Sequence, residues 1–431
     1  MYLLYSALLS VAFVLAAPWW LKQRRRTGIG ERLGRVPQRI RAAAARPTIW
    51  IHAVSVGEVL AVSRLVGELR ARFPEKRVIV STTTATGQKL ARDKFGEQDV
   101  FYFPLDFAFA VRAYLRELRP ELIVLAETEF WPRLLHEAWQ SGARVAVVNA
   151  RISDRSFPRY QRWCSFVARI LKHVDIFLTQ TDEDARRLKA IGANSARVSV
   201  SGNLKFDIVI REAPFTAQLR VMLLRARSPK VVVAGSTVEG EEEIVVRAFQ
   251  QALNAGTPAL LIIATRHPER FDTVAQLLTS TGIPWWRRSL LRGDEELRSG
   301  VLLLDSLGEL GSIYALADIA FVGGSMVPRG GHNILEPATY GKAIVVGPYT
   351  ENFRDIVEMF RSDEAVFVAG DEQTLASLFR RLLNDGSERA AYGARAAALV
   401  KRNEGATGRT LAALANLLPP TPARVTEDVA R

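Results

Sequence analysis

The stretch "TIWIHAVSVGEVL", residues 48–60, decides the fold because the pattern of the sequence changes from strand to helix within it. Its first six residues form a mostly apolar run, and an apolar helical pattern follows from about Glu58 to Phe73. Runs of this kind suit strands that are covered on both faces, as in a parallel sheet. The stretch therefore predicts a strand, a turn and a helix, with Ser55, Gly57 and Glu58 at the carboxyl end of the strand.

The same strand-to-helix pattern recurs along the chain and predicts an α/β fold. Regular alternation of strands and helices indicates doubly wound parallel sheets. The predicted strands are residues 48–53, 77–82, 121–127, 143–150 and 174–180 in the first half, and 230–236, 258–268, 300–306, 318–325 and 342–348 in the second.

These two sets of strands predict two Rossmann-like domains, residues 48–208 and 209–404, that face each other across a cleft. The segment "KFDIVIREAPFT" (205–216), which contains Pro214, is the predicted hinge. Residues 405–431 are predicted to form a helix, over about 405–418, that packs back across the domain interface, followed by a polar tail.

The N-terminal residues predict attachment to a membrane. Residues 2–21 are uncharged and apolar, long enough to span a bilayer, and end in Trp19 and Trp20. Between Lys22 and Arg46 there are nine Lys or Arg residues and one acid, Glu31. The pattern predicts a membrane anchor over 1–21 and a polybasic juxtamembrane segment over 22–47 that contacts anionic lipid. A cleaved signal peptide is the competing interpretation, although its charged region should come first.

The charge and the composition narrow the possible functions further. The formal net charge is +13, but the positive charge clusters near the anchor without interleaved aromatic residues, so nucleic-acid binding is not favoured. The chain has one cysteine, Cys164, and five histidines, which excludes an internal disulfide and argues against a zinc site. The acidic "DED" (182–184) has the spacing of a metal-binding D-x-D motif, but it begins a predicted helix that stops at Gly192. We therefore predict no metal.

Four turns in the second half predict a nucleotide site, because ligands bind at the carboxyl ends of parallel strands. The turn Gly235–Thr237, which includes Ser236, is predicted to precede a helix and to offer backbone N–H groups to an anion. Arg266 follows the next strand and could pair with phosphate, and Gly308 would allow a ligand close to the backbone. In "GGHNILEPATYGK" (330–342), Glu336 could accept both hydroxyls of a ribose. Each turn taken alone could be an ordinary helix cap.

Acids and a lysine at predicted strand ends of the first half are candidates for chemistry. Glu58 lies where a helix dipole alone would also explain a carboxylate. Glu127 and Glu129 follow a buried strand, where two acids without partners would be unfavourable. Lys205 is the cation nearest the predicted hinge, although a surface lysine is the simpler interpretation.

An ordered set of motifs resembles the 3-deoxy-D-manno-octulosonic acid (Kdo) transferases, inner-membrane enzymes that add Kdo to the lipid A precursor. The resemblance runs from the anchor to about residue 350. The motifs are "SVGE", "TTTATG", "ETEFWP", "NARIS", "GNLKFD", "AGSTVEGEE", "RHPER", "GEL" and "GGHNILEP".

The resemblance implies a GT-B fold and an inverting glycosyltransferase that needs no metal or cofactor. It further implies CMP-Kdo as donor, the tetraacylated lipid A precursor (lipid IVA) as acceptor, and a location on the cytoplasmic face of the inner membrane. It makes Glu58 the proton acceptor, for which a pKa near 4 is expected, and gives Glu127 and Lys205 a part in stabilising the transition state. It implies CMP contacts at Thr265, Arg266, Leu307, Gly308, Glu309, Asn333, Ile334, Leu335 and Glu336.

Two other functions stay open on the sequence alone. One is a membrane-associated GT-B transferase that uses a UDP-sugar. The other is a non-catalytic lipid A-binding protein that has kept the fold.

Overall fold

The computed structural model describes residues 2–15, 28–41, 46–227, 229–253 and 258–418. The chain divides into two compact units. The N-terminal unit contains Met1–Asp207 together with Gly405–Arg431, and the C-terminal unit contains Ile208–Glu404. Each unit has its own sheet and its own hydrophobic core, so the two are considered in turn.

The N-terminal unit is built on a seven-stranded parallel sheet with the strand order β3-β2-β1-β4-β5-β6-β7. The strands are β1 (Thr48–His52), β2 (Arg77–Thr82), β3 (Val100–Tyr102), β4 (Pro120–Ala126), β5 (Arg144–Ala150), β6 (Ile176–Thr179) and β7 (Val198–Val200). The order reverses direction between β1 and β4, which pair in parallel. Such a topological switch point opens a crevice at the carboxyl ends of the two strands.

Helices cover both faces of this sheet and bury its apolar residues in two clusters. The helices are α1 (Tyr2–Leu15), α2 (Ile29–Arg32), α3 (Gln38–Arg41), α4 (Val56–Arg72), α5 (Ala85–Phe95), α6 (Ala108–Leu118), α7 (Pro132–Ser141), α8 (Phe157–Arg162), α9 (Cys164–Leu171) and α10 (Asp182–Ala190). Helix α4 buries Val59, Val62, Val66 and Leu69, a stripe at helical spacing that packs on the sheet. This packing fixes the turn between β1 and α4.

The C-terminal unit repeats the design with the strand order β10-β11-β9-β8-β12-β13-β14, again all parallel. Its strands are β8 (Lys230–Thr237), β9 (Ala259–Thr265), β10 (Trp285–Arg287), β11 (Gly300–Leu303), β12 (Ile319–Val322), β13 (Ala343–Val346) and β14 (Phe367–Val368). Its helices are α11 (Pro214–Arg225), α12 (Glu242–Leu253), α13 (Phe271–Ser280), α14 (Leu310–Ile313), α15 (Leu335–Thr339), α16 (Arg354–Ser362), α17 (Glu372–Asn384) and α18 (Gly386–Asn403). The switch point lies between β8 and β12.

The last helix, α19 (Ala406–Ala415), belongs to the N-terminal unit. Its Leu411 and Leu414 are buried in the same cluster as Val62 and Leu69 of α4. Its first turn is held by Asp207, whose carboxylate accepts hydrogen bonds from the backbone N–H of Gly405 (2.6 Å) and of Thr407. Asp207 therefore fastens the end of the first segment of the unit to the start of the last.

All ten predicted strands are present, so the α/β fold of two parallel-sheet domains is confirmed. The prediction missed β3, β7, β10 and β14, which have two or three residues each and form the four sheet edges. Edge strands this short carry too few residues to show an apolar pattern.

The predicted membrane anchor is not supported as a spanning helix. Among the described residues, no helix combines the length and the apolar character needed to cross a bilayer, since α1 has 14 residues. Residues 16–21 of the predicted anchor, with Trp19 and Trp20, lie outside the described residues, as do 22–27 and 42–45 of the polybasic segment and 419–431 of the predicted tail.

Part of the polybasic segment packs against the N-terminal unit. Arg32 is only 6% exposed, donates a hydrogen bond to the carbonyl of Thr83, and lies 4.6 Å from the centre of the Tyr102 ring. Glu31 pairs with Arg39 at 3.0 Å. These arginines stabilise the N-terminal unit, and the expectation that the whole segment faces lipid is wrong for Arg32.

Asp207→Ala is expected to lower the unfolding free energy by about 1–3 kcal/mol, because two N–H groups of a partly buried helix start lose their acceptor. Asp371→Ala is the matched control, since that carboxylate caps an exposed helix start with one bond of 2.8 Å to the N–H of Thr374. Asp371→Ala should lower the unfolding free energy less than Asp207→Ala does. Denaturant unfolding measures both variants, and an equal loss of unfolding free energy in the two would contradict the role given to Asp207.

Candidate active site

Glu58 lies in the first turn of α4, directly after β1, and its carboxylate turns back over the strand end. The backbone N–H of Val54 donates to Oε2 at 2.8 Å, and the hydroxyl of Ser55 donates to Oε1 at 3.0 Å. The residue is 7% exposed. Capping and burial therefore act together, because the turn fixes the carboxylate and its burial removes it from water.

Burial raises the pKa of Glu58 to about 8. The negative charge of Glu127 adds to this rise and that of Glu129 adds less, while the hydrogen bonds from Val54 and Ser55 oppose it. The pKa of Glu129 is also raised, first by burial and then by Glu127. The expectation of a pKa near 4 for Glu58 is therefore wrong, because the sequence did not show how completely the side chain is buried or that two more acids lie near it.

Glu127 follows β4 and has a φ of +56°, a left-handed conformation that is uncommon for residues other than glycine. Its N–H donates to the carbonyl of Val148 at 2.9 Å, which keeps the residue aligned with β5. The Nζ of Lys205 lies 4.0 Å from its Oε1. The candidate cation therefore lies beside a candidate acid at the same edge of the sheet.

The structure thus brings together Glu58, Glu127 and Lys205, three of the four candidates that the sequence offers in the first half. Glu58 follows β1 and Glu127 follows β4, and these strands form the switch point of the sheet. Lys205 pairs with Glu127 from a single 3₁₀ turn, Leu204–Phe206. A buried acid with a high pKa beside an acid and a cation is an arrangement that can accept a proton and stabilise a negatively charged group.

In the C-terminal unit, Glu336 lies in the first turn of α15 and is largely buried, which raises its pKa. A hydrogen bond with Asn333 and the charge of Arg266 oppose that rise. Gly311 of α14 lies beside this carboxylate, since a Cβ atom on it would be 3.6 Å from Oε2 of Glu336. Asn333 therefore hydrogen-bonds to Glu336, and Arg266 lies near enough for its charge to act on that carboxylate.

Arg266 comes directly after β9, and its N–H donates to the carbonyl of Thr237 at 2.7 Å. Its side chain is exposed, and its charge adds to the burial that lowers the pKa of His332 to about 4. Nε2 of His332 is buried and has no hydrogen-bond partner among the described residues. Arg266 and the neutral His332 together can offer a phosphate group a cation and a polar ring.

The prediction that Gly235–Thr237 form a turn directly before a helix is wrong. These residues end β8, and α12 begins only at Glu242. Ser236 has a φ of +58°, at a break in register between Gly235 and Thr237. Helix α12 therefore begins too far along the chain for these N–H groups to form its first turn.

The remaining predicted nucleotide residues have different surroundings. Leu307 is 72% exposed and Gly308 has a φ of +82°, as expected of an open turn. The carboxylate of Glu309 is occupied by Arg288, at 2.7 and 3.0 Å, and by the hydroxyl of Ser306. The other three have buried or occupied side chains: Thr265, whose hydroxyl donates to the carbonyl of His267, and Ile334 and Leu335, which are in the core. Apart from Arg266, Asn333 and Glu336, this set offers mainly backbone groups.

The acidic "DED" (182–184) begins helix α10, as predicted. Thr181 caps α10 by accepting a hydrogen bond from the N–H of Asp184 at 3.1 Å, and Asp184 accepts one from the N–H of Ile152 at 2.9 Å. Among the described residues, no group of three or more His, Cys, Asp or Glu side chains is arranged to hold a metal ion.

Two polar residues of structural importance were missed. Asn149, at the end of β5, is completely buried and has a φ of +54°. Glu241, also completely buried, accepts hydrogen bonds from the N–H groups of Gly324, Ser325 and Met326 at 2.7–2.9 Å. The sequence could have indicated Asn149, because it is a polar residue at the end of a predicted buried strand. Glu241 carried no signal, because its partners are backbone groups distant in sequence.

Both units have the parallel α/β architecture of GT-B glycosyltransferases, with candidate residues at the carboxyl edge of each sheet. The S. aureus MnaA–UDP co-structure has the same fold, with a TM-score of 0.51 and 14% identity over 87% of this chain and 99% of that chain. This likeness concerns the fold alone.

Comparison of sequences identifies the family. Residues 27–208 match the family described as 3-deoxy-D-manno-octulosonic-acid transferase (kdotransferase). The 3-deoxy-D-manno-octulosonic acid transferase of Bordetella pertussis is 38% identical over 93% of this chain and 95% of its own length. A bifunctional glycosyltransferase/methyltransferase of Fusobacterium nucleatum is 34% identical over 82% of this chain, which spans 55% of that longer protein. The chain belongs to the Kdo transferase family and is a glycosyltransferase.

The buried Glu58 predicts a dependence of stability on pH. Its pKa rises from an ordinary 4.5 to about 8 on folding. The folded state therefore binds its proton more tightly, and the stability that this provides is complete below about pH 4.5 and is lost as the pH rises through about 8. Glu58→Gln should remove this component, so the unfolding free energy of the variant should fall less than that of the wild type over this range.

The control is Glu68→Gln, which changes a 45% exposed side chain of the same helix. Denaturant unfolding at a series of pH values gives the unfolding free energies of the wild type, Glu58→Gln and Glu68→Gln. Parallel curves for the wild type and Glu58→Gln would show that Glu58 has an ordinary pKa in the folded protein.

Proposed function

We propose that the protein transfers Kdo from CMP-Kdo to lipid IVA, with inversion at the anomeric carbon and without a metal. The family supports the transfer of Kdo, and the surroundings of Glu58 support the mechanism. The main observation in support of this mechanism is a buried carboxylate with a pKa of about 8, held by two hydrogen bonds at the switch point of the N-terminal sheet.

Glu58 acts as the proton acceptor for the attacking hydroxyl of lipid IVA. As the new C–O bond to the anomeric carbon of Kdo forms, the O–H bond breaks and its proton passes to Glu58, while the bond from the anomeric carbon to the CMP phosphate breaks. The raised pKa makes the ionised carboxylate a stronger base than an exposed glutamate. Glu58 must first lose its own proton, so the reaction should accelerate as the pH rises through about 8.

Lys205 meets the carboxylate of the Kdo sugar, and Glu127 holds the ammonium group in place. The Nζ of Lys205 lies 4.0 Å from Oε1 of Glu127, at the same edge of the sheet as Glu58. A cation fixed near the reacting carbon stabilises negative charge there without rearranging during the reaction.

The C-terminal unit binds the CMP part of the donor. Glu336 accepts hydrogen bonds from the two ribose hydroxyls, since a largely buried carboxylate gains most from neutral donors of this kind. Arg266 pairs with the phosphate, and its exposed side chain is free to turn toward it. Backbone groups of Ser236, of Leu307–Glu309 and of Asn333–Leu335 complete the nucleotide site.

We further propose that the protein works on the cytoplasmic face of the inner membrane. Support comes from the apolar run over residues 2–21 and from the cationic residues that follow it. Of the described cations in that segment, Arg35, Arg41 and Arg46 are exposed and could contact anionic lipid. The acyl chains and phosphates of lipid IVA fit a protein attached to that surface.

Purified protein with CMP-Kdo and lipid IVA should yield a product whose mass increases by one or more Kdo residues. The rate should be equal with and without EDTA, because no step uses a metal. A mass increase that appears only with a UDP-sugar donor and equals that donor's sugar would favour the alternative transferase, and no mass change with either donor would favour the non-catalytic protein.

Glu58→Gln should lower kcat by about 10²–10⁴-fold, because the transition state loses its proton acceptor. In the wild type, kcat/KM should rise with pH through about 8. Glu68→Gln should match the wild type in both measurements. A Glu58→Gln variant with wild-type kcat would assign the proton to another group.

Glu336→Gln should raise the KM for CMP-Kdo by about 10-fold or more, since a charge-assisted pair of hydrogen bonds to ribose becomes neutral. CMP should raise the melting temperature of the wild type and have little effect on the variant, whereas UDP should protect neither. Glu358→Gln, a change in a 65% exposed side chain of the same unit, is the control. An unchanged KM in Glu336→Gln would remove the ribose contact from the proposal.

A further inference from the structure

The backbone on both sides of Lys205 is fixed in the core of the N-terminal unit. Lys205 is the middle residue of the 3₁₀ turn Leu204–Phe206, and its two neighbours are 2% and 1% exposed. Asp207 follows directly and binds the start of α19. The turn therefore has little freedom, and only the side chain of Lys205 extends toward Glu127.

Three side-chain amides connect this turn to the ends of β5 and β6. The carbonyl oxygen of the Asn203 side chain accepts from the N–H of Lys205 at 3.0 Å, and its amide group donates to Gln180 Oε1 at 2.9 Å. Gln180 donates from Nε2 to the backbone carbonyl of Asn149 at 3.0 Å. Asn149 Oδ1 accepts from the N–H of Leu204 at 3.0 Å, which closes a ring of four hydrogen bonds.

Asn149 is suited to this ring by its conformation as well as by its side chain. It has a φ of +54°, and asparagine is among the few residues other than glycine that adopt this conformation readily. The residue is completely buried, and its Nδ2 has no partner among the described residues. A buried donor without a partner is unfavourable, so the position is occupied by asparagine for a reason other than core packing.

The ring is uncharged, and this matters for a lysine that must bind an anion. The amides fix the backbone of the turn by hydrogen bonds without placing a further negative charge beside Lys205, whose Nζ lies 4.0 Å from Oε1 of Glu127. Small errors in placement are costly in catalysis, since a shift of about 1 Å can reduce a rate by about 100-fold.

We propose that Asn149, Gln180 and Asn203 are positioning residues that hold Lys205 for catalysis through this ring of amide hydrogen bonds. The inference rests on the proposed function, because it takes Lys205 as the group that meets the carboxylate of the transferred sugar. None of the three amides needs to touch the substrate. Their effect passes through the backbone of the turn to the ammonium group.

The test compares Asn203→Ala with Asn194→Ala. Each asparagine caps a 3₁₀ turn of the same unit by accepting a 3.0 Å hydrogen bond from the N–H two residues later. Only Asn203 continues into the ring. Asn203→Ala should lower kcat by about 10-fold or more with little change in the KM for lipid IVA, and Asn194→Ala should leave kcat unchanged. The two variants should have similar melting temperatures.

A double-mutant cycle with Lys205→Met separates positioning from a general loss of stability. In the Lys205→Met background, Asn203→Ala should cause no further fall in kcat, because the group that it positions is absent. Independent, additive losses, or equal kcat values for Asn203→Ala and Asn194→Ala, would overturn the inference. Should Asn203→Ala fail to fold, Asn203→Ser retains a capping oxygen, is too short to reach Gln180, and should show the same loss of kcat.

The outcomes distinguish this inference from the proposed function. A wild-type protein that transfers no Kdo, or a Lys205→Met variant with full activity, would contradict the proposed function itself. An active wild type, an impaired Lys205→Met and an unimpaired Asn203→Ala would leave the proposed function in place and remove only the role of the amides.

Discussion

The burial of the Glu58 carboxylate beside Glu127 and Glu129 is the constraint on which the proposed chemistry of the N-terminal unit depends. Three acids gather at the ends of two adjacent strands, and Lys205 lies beside one of them, Glu127. Two hydrogen bonds to Glu58 offset part of the unfavourable burial, but the pKa remains near 8. The unfavourable burial of a charge would by itself move the Glu58 side chain into solvent. The packing of α4 on the sheet keeps it in place.

The two units share one arrangement of a buried acid. Each places a glutamate in the first turn of a helix at the carboxyl edge of its sheet, and in each case burial raises the pKa of the acid. The neighbours differ, and they determine what each site can do. Glu58 has acids nearby, which strengthen it as a base, whereas Glu336 has Asn333 and Arg266, which favour its ionised form as an acceptor of hydrogen bonds.

Much of this arrangement could be predicted from the sequence, because buried parallel strands have a strong apolar pattern and their carboxyl ends share one edge. The positions of Glu58, Glu127 and Glu336 follow from that rule. Three kinds of feature could not be predicted. The edge strands were too short, the bend at Ser236 depends on a backbone conformation that the residue type does not specify, and the amide ring joins residues more than fifty positions apart.

The return of α19 to the N-terminal unit has a consequence for synthesis on the ribosome. Leu411 and Leu414 complete an apolar cluster whose other members are translated long before, and roughly 200 residues of the C-terminal unit intervene. At typical elongation rates the first sheet emerges about 10–40 s before its last helix. During that interval the part of the cluster that α19 covers stays exposed, so the N-terminal unit reaches its native state only after the C-terminal unit has been translated, and a chain that stops before Ala406 leaves these apolar residues uncovered.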